Sequence, residues 1–378
     1  MRRRAVLGLL GALLTGCSAP RVAASSLDPW TVPVSTPSPW APPTGRYEAS
    51  LRSALQRYRD LFPGAVLFAA VDGHVAAHFA VGDAVRSGGD PVPATTGTIY
   101  DLASLTKVFT AILVLRLYEQ GTVQLDAPAA RYVPLFGNKP DITVRMLLTH
   151  TSGLSKDTPL VGDTPADRLD HVLREPPVAA PGSGYRYADQ NFIALGALAE
   201  RLGGEPLDRQ VRRQIAAPLG LADTGYRPPA ALLPRIAATE GALRGRVHDP
   251  SAAAFGGVAG HAGLFSTAAD VALLGRALLA GGGPLLRPPT VELMRTNQNP
   301  AFGPSAAHGL GVDLDQAWYM GRLAGHGAFG HTGFTGTSIV VEPRRRVVLV
   351  LLTNRVHLGA SPPSTNPARK AVADALAA

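Results

Sequence analysis

The chain has 378 residues, of which 46% are hydrophobic and 17% are charged, and its formal net charge is +8. This apolar content excludes a disordered chain and is sufficient for a large core. The arginines are scattered and no basic run is interleaved with aromatic residues, so the sequence does not indicate a nucleic-acid-binding surface.

The N-terminus has the pattern of an export signal. Arginines at positions 2–4 precede the apolar run 5–14, which is too short to span a bilayer comfortably. The next residues, Leu-Thr-Gly-Cys, resemble the bacterial lipobox, in which the cysteine is lipidated and becomes the mature N-terminus. We therefore predict a signal peptide over 1–16 and a lipid anchor on Cys17 that holds the protein at the extracytoplasmic face of the cell membrane. An ordinary secretory signal is the alternative.

Residues 17–45 are rich in proline, serine and threonine. Proline at this density favours an extended chain. We expect this segment to be a linker that holds the body, residues 46–378, away from the membrane.

The body begins with a predicted amphipathic helix over 46–60. Two apolar runs, 65–71 and 75–81, flank Asp72-Gly73, and this pattern predicts a β-hairpin. A second helix is predicted over 105–119.

The middle of the chain, from about 120 to 255, contains short helical patterns separated by proline and glycine. Near the C-terminus, the runs 337–342 and 346–353 predict two strands, and 367–377 predicts a final helix. Strands at both ends with helices between them predict an α+β fold, with one sheet built from both termini and a mainly helical second lobe inserted.

Ser104 and Lys107 form a Ser-x-x-Lys pattern at the start of the second helix. Residues three apart share a helix face, so the lysine amine can reach the serine hydroxyl. A serine hydroxyl is a weak nucleophile without a base. A lysine can be that base if burial and nearby positive groups lower its pKa. Arginine predominates elsewhere in this chain but cannot deprotonate, so a lysine at this position is chemically meaningful.

Two more motifs follow in order, Tyr187-Ala-Asp189 and His331-Thr-Gly333. With Ser104 and Lys107, they resemble the serine β-lactamase and penicillin-binding protein superfamily, on the branch with class C β-lactamases, D-alanyl-D-alanine peptidases and related esterases. The resemblance covers roughly 47–375. The family usually has asparagine where this chain has Asp189, and lysine where it has His331.

The resemblance implies a β-lactamase/transpeptidase-like fold, with an antiparallel sheet flanked by helices. It also implies that Ser104 is acylated, that Lys107 is its base and that Tyr187 exchanges protons with the nucleophile and the leaving group. Backbone N–H groups of Ser104 and Phe334 would form the oxyanion hole. The residues expected to contact substrate are Asp189, His331, Thr332, Gly333 and Phe334.

The resemblance also implies roles for Gly333 and His331. Gly333 would let the backbone approach the substrate closely. His331 would be fractionally charged at neutral pH, so carboxylate binding should weaken as pH rises. We expect His150 to be structural.

His248, Asp249 and His261 lie in or beside a glycine-rich segment that could be mistaken for a metal site. A loop at the edge of the active site explains them, and we expect neither a metal nor a cofactor.

The predicted function is hydrolysis through an acyl-enzyme on Ser104, with a D-alanyl peptide of peptidoglycan, a β-lactam or a small ester as substrate. The sequence lacks the Gly-x-Ser-x-Gly, zinc, phosphate-loop and dinucleotide motifs. The alternative is a catalytically weak penicillin-recognising protein that binds peptidoglycan. The sequence leaves the choice among these substrates and the oligomeric state open.

Overall fold

The computed structural model describes residues 28–31, 33–35, 40–41, 45–87, 89–359 and 361–378. The predicted signal peptide and Cys17 lie outside these residues. Among the helices of the described part, none is long and apolar enough to cross a bilayer.

The described residues form two antiparallel sheets. The larger has seven strands in the order β3-β2-β1-β10-β9-β8-β7, and the smaller has the order β4-β6-β5. In chain order the strands are β1 Gly64–Val71, β2 His74–Val85, β3 Val92–Pro93, β4 Tyr100–Asp101, β5 Gly225–Tyr226, β6 Leu264–Ser266, β7 Asp313–Leu314, β8 Phe329–Thr332, β9 Ser338–Glu342 and β10 Val347–Thr353.

The α-helices of the described residues are distributed along most of the chain. They are α1 Glu48–Gln56, α2 Thr106–Glu119, α3 Val144–Leu148, α4 Pro165–Arg174, α5 Asp189–Gly203, α6 Leu207–Val211, α7 Ala217–Leu219, α8 Pro250–Ala254, α9 Ala268–Leu279, α10 Pro288–Met294, α11 Ala317–Met320 and α12 Asn366–Leu376.

The centre of the large sheet pairs a strand from each end of the chain. β1 lies antiparallel to β10 on one side and to β2 on the other. The turn between β1 and β2 has Asp72 at φ 48° and Gly73 at φ 81°, the positive values that a two-residue hairpin of type I′ requires. The predicted hairpin, and the prediction of one sheet built from both termini, are therefore confirmed.

Both faces of the large sheet are covered. Successive side chains of a strand point to opposite faces. In β1, Val66 and Phe68 join the core shared with the helical lobe, whereas Ala65 and Leu67 join a second core that includes residues of α1 and α12. This two-sided burial explains why β1 and β10 are apolar at almost every position.

The helical insertion is larger than the predicted range of about 120–255. It separates β3 from β7 and so covers about 94–312. Helix α2 belongs to it, because α2 is buried on nearly all sides and packs against α5 and α6. Helix α9, near the end of the insertion, packs back onto β9 and β10.

The predicted linker contacts the body in its described part. The Trp30 indole N–H donates to the Tyr226 carbonyl at 2.7 Å, and the Trp40 ring lies 5.3 Å from the Phe68 ring. We expected an extended spacer over 17–45. Trp30 and Trp40, among the described residues of this range, instead lie on the body, because each tryptophan gains by burying part of a large apolar ring.

Candidate active site

Ser104 lies in a tight turn that connects β4 to α2. The preceding residue, Ala103, has φ 47°, a left-handed conformation that costs energy for any residue with a Cβ. The Asp101 carboxylate stabilises this turn. One of its oxygens accepts the Ala103 N–H at 2.9 Å, and the other accepts the His248 N–H at 2.8 Å. The nucleophile turn is thereby joined to the loop that carries His248.

Asp101 was not identified from the sequence. Its only signal there is a carboxylate three residues before the nucleophile in an otherwise apolar run. Burial raises the pKa of Asp101 to about 6, although the two backbone hydrogen bonds act to lower it. A carboxylate with a raised pKa contributes most to stability below its unfolded pKa, and this contribution falls as pH rises through about 6.

Asp101→Ala should destabilise the fold, because it leaves the buried Ala103 N–H and the partly buried His248 N–H without an acceptor. Each such group costs about 1–3 kcal/mol, so we expect the free energy of unfolding to fall by at least about 2 kcal/mol. Urea denaturation at pH 7 measures this. Asp141→Ala, at an exposed position, is the control. Equal stability of the two variants would contradict the role assigned to Asp101.

Lys107 lies at the centre of the site, with its side chain fully buried. Its Nζ is 2.7 Å from Ser104 Oγ, 2.7 Å from Asp189 Oδ1 and 3.3 Å from the His261 carbonyl oxygen. Burial acts to lower the pKa of Lys107, but the Asp189 carboxylate and Tyr187 outweigh it and raise the pKa above the ordinary value. The condition stated for a base, a pKa lowered by burial and positive neighbours, is therefore not met in the resting site, because the nearest charged neighbour is a carboxylate.

Tyr187 is the tyrosine that reaches the nucleophile. The Lys107 Nζ lies 4.9 Å from the centroid of its ring, and both Lys107 and Ser104 act to lower the pKa of its hydroxyl. Burial raises its pKa and Lys107 lowers it, with a net increase, so the phenol is protonated at neutral pH. The ring packs 4.4 Å from the His150 ring, whose Nδ1 lies 2.9 Å from Asn191 Nδ2. The Tyr185 ring also lies near His150, edge-on at a centroid distance of 6.1 Å. The contacts of His150 fit the structural role expected for it.

Gly333 packs against the nucleophile turn. A Cβ there would overlap the Leu102 carbonyl oxygen and the Thr337 hydroxyl. The Gly333 carbonyl accepts a hydrogen bond from the buried Arg369 at 2.9 Å. The structure thus requires glycine for close packing of β8 on the residues before Ser104, which is a different reason from the approach to substrate that we expected.

His331 is buried at the end of β8. Its Nδ1 lies 2.7 Å from the Thr332 carbonyl oxygen, so Nδ1 carries the proton. Burial lowers the pKa of His331 to about 4; Asp313 opposes this change and Lys107 reinforces it. The expected fractional charge at neutral pH is therefore wrong, because a buried imidazole beside an ammonium group stays neutral.

Phe334 follows this strand, and its side chain is half exposed. The ring stacks on His248 at a centroid distance of 5.9 Å, and the Arg355 guanidinium lies 4.8 Å from its centroid. The predicted substrate contacts of Thr332 and Phe334, and the oxyanion hole of Ser104 and Phe334, stay predictions.

Asp249 and His261 form a pair next to Asp189, which the sequence analysis did not foresee. His261 Nε2 lies 2.8 Å from Asp249 Oδ1. Potential donor atoms of Asp189, Asp249 and His261 lie within 4.8 Å of one another. Asp189, however, already pairs with the Lys107 ammonium, so we interpret the group as a charge network. The absence of a metal stays a prediction. His248 points elsewhere and pairs with Glu240 at 2.9 Å.

Comparison with known proteins yields matches over most of the chain. The family model described as Beta-lactamase matches residues 51–374. A relative from Escherichia coli K12, named provisionally as a D-alanyl-D-alanine carboxypeptidase, is 34% identical over 328 residues, which cover 73% of this chain and 74% of the relative.

Solved structures are also similar. The hydrolase EstCE1, described as having promiscuous acyltransferase activity, superposes with a TM-score of 0.72 at 26% identity, over 87% of this chain and 99% of its own. A penicillin-binding protein homologue from Caulobacter crescentus has a TM-score of 0.72 at 23% identity, over 92% of this chain and 99% of its own. At 23% identity, the similarity to the Caulobacter crescentus protein shows a shared fold and nothing about activity.

Proposed function

Because the chain belongs to the Beta-lactamase family and is a serine hydrolase, we propose that it hydrolyses D-alanyl peptides of the cell wall through an acyl-enzyme on Ser104. The 2.7 Å contact between Lys107 Nζ and Ser104 Oγ supports this proposal most directly. The relative from Escherichia coli, by its name, suggests the substrate class.

The proposed reaction has two halves. Ser104 Oγ attacks the carbonyl carbon while its proton passes to Lys107, and N–H groups of Ser104 and Phe334 stabilise the oxyanion. Tyr187, whose ring centroid lies 4.9 Å from Lys107 Nζ, relays a proton to the leaving group. Water then attacks the acyl-enzyme by the reverse proton path. Lys107 can accept the serine proton only as a neutral amine.

Small esters are a second candidate class of substrate. A carboxypeptidase must bind the terminal carboxylate of its peptide, and the neutral His331 does not supply a positive charge for this at pH 7. An ester without a carboxylate avoids that requirement. The similarity to EstCE1 agrees with this alternative.

Intact mass spectrometry tests the proposal on the chain from residue 18 onward, which retains Trp30 and Trp40. The protein is incubated separately with a penicillin, a D-alanyl-D-alanine peptide and a p-nitrophenyl ester. We expect an acyl adduct that maps to Ser104, with release of D-alanine or nitrophenol. A persistent adduct without turnover would favour a catalytically weak penicillin-recognising protein. The absence of both an adduct and turnover would contradict the proposal.

We also propose that the protein is exported and held at the extracytoplasmic face of the membrane by a lipid on Cys17. Cys17→Ala should then move most of the protein from the membrane fraction to the soluble fraction, because it removes the acylated thiol. Immunoblots of the two fractions and incorporation of labelled palmitate measure this change. Ser18→Ala is the control. Equal membrane association of wild type and Cys17→Ala would contradict the anchor.

A further inference from the structure

The resting site has its base in the wrong protonation state. Lys107 must be neutral to accept the Ser104 proton, yet its Nζ is ion-paired with Asp189 Oδ1 at 2.7 Å. The same Nζ lies 2.7 Å from Ser104 Oγ. The three groups therefore form a continuous chain from serine through lysine to carboxylate.

We propose, on the basis of the function proposed above, that Asp189 takes a proton from Lys107 when substrate covers the site and thereby converts Lys107 into the neutral base. Asp189 acts through Lys107 and does not itself touch the reacting atoms. The substrate-binding role expected from its motif is then secondary.

The different exposure of the two partners supports this transfer. The Lys107 side chain is fully buried, whereas 31% of the Asp189 side chain is exposed. Water therefore stabilises the charged pair mainly at the carboxylate. A substrate that covers Asp189 removes this water and favours the uncharged pair of amine and carboxylic acid, because desolvation disfavours charged forms.

The surroundings of the pair keep Asp189 ionised until then. Burial acts to raise the pKa of Asp189, but Lys107 and His261 outweigh it and lower the pKa. His261 Nε2 lies 2.8 Å from Asp249 Oδ1. The ionised Asp249 carboxylate acts to raise the pKa of Asp189, but its effect is the smaller one. Tyr187, His150 and His331 are uncharged at neutral pH, since Tyr187 has a raised pKa and the two histidines have lowered ones.

The proton count of the proposed steps balances. The Lys107 ammonium gives one proton to Asp189, and the resulting amine accepts the proton of Ser104 as Oγ bonds to the carbonyl carbon. The oxyanion, the ammonium and the neutral acid together carry no net charge, like the starting serine and ion pair. When the intermediate collapses, the leaving group takes a proton from Lys107 by way of Tyr187, and Asp189 then returns its proton to Lys107.

The pH dependence of kcat/KM for a p-nitrophenyl ester tests the proposal. In the wild type the reactive form has the same number of protons as the resting ion pair. We therefore expect that titration of this pair does not lower kcat/KM at any pH above about 5; such a fall toward low pH is called the acid limb. In Asp189→Asn, Lys107 must lose its proton to water. The acid limb should therefore appear at least two pH units higher.

The opposite shift would overturn the proposal. If Lys107 lost its proton to solvent in the wild type, the ion pair would place the acid limb at alkaline pH, and Asp189→Asn would lower it. If Asp189→Asn does not fold, the pH of the acid limb in the wild type is enough to decide between the two possibilities. Asp189→Glu keeps a carboxylate and should keep the low limb. In the matched variant Asp249→Asn, whose carboxylate does not contact Lys107, the limb should move by less than half as much as in Asp189→Asn.

These results separate the proposal from the function on which it rests. If the wild type turned over the ester but its acid limb lay at alkaline pH, the role of Asp189 would be contradicted and the proposed hydrolase function would not. If the wild type neither turned over ester or peptide nor formed an adduct, both would be contradicted.

Discussion

Ser104→Ala is expected to lower kcat by at least about ten-thousandfold, because it removes the atom that forms the acyl-enzyme. Losses of this size follow removal of a nucleophilic serine elsewhere. The half-buried Ser104 Oγ bonds to Lys107, so its loss removes one hydrogen bond and little packing. The melting temperature should therefore change little. Initial rates on a p-nitrophenyl ester and thermal unfolding measure the two effects.

Ser183→Ala is the matched control, since Ser183 is exposed in the loop before Tyr187. It should retain the activity of the wild type. Intact mass after incubation with penicillin should show no adduct on Ser104→Ala. Turnover by this variant at the rate of the wild type would disprove the assignment of the nucleophile.

Lys107→Arg is expected to lower kcat/KM by about a thousandfold, within the range found when a general base is lost. The substitution keeps the positive charge that pairs with Asp189. It removes the basic function, because a guanidinium group does not deprotonate in a protein. This variant therefore separates the charge of residue 107 from its capacity to accept a proton. The same ester assay measures it.

Lys156→Arg is the matched control, because Lys156 is exposed. Rates of Lys107→Arg close to those of the wild type would show that only the charge is required, and would exclude Lys107 as the base. Thermal unfolding of the variant is also needed, because arginine is the larger side chain and position 107 is fully buried.

Much of the fold could be predicted because its signals are local. The hairpin of β1 and β2 combines two apolar runs with an Asp-Gly turn, and both features lie within about twenty residues. The boundaries of the helical lobe could not be predicted in the same way. Helix α2 is apolar on nearly all sides, so its sequence does not show which neighbours cover it.

In the active site, too, contacts between residues close in sequence could be predicted and contacts between distant residues could not. Ser104 and Lys107 are one helical turn apart, so their contact follows from helix geometry. The contact between Lys107 and His261 joins residues 154 positions apart, and only the folded chain brings them together. The charge of His331 was misjudged and that of Lys107 could not be assigned for this reason, because each pKa depends on partners that are distant in sequence.

The pairing of β1 with β10 also determines when the protein can fold. Val66 lies opposite Leu352, so the centre of the large sheet cannot close until the C-terminal strand has been synthesised. Contacts of such long sequence separation slow folding, since a long loop must close before they form. If the protein is exported as proposed, this delay leaves the chain without its central sheet, and so able to be threaded through a membrane channel, until synthesis is nearly complete.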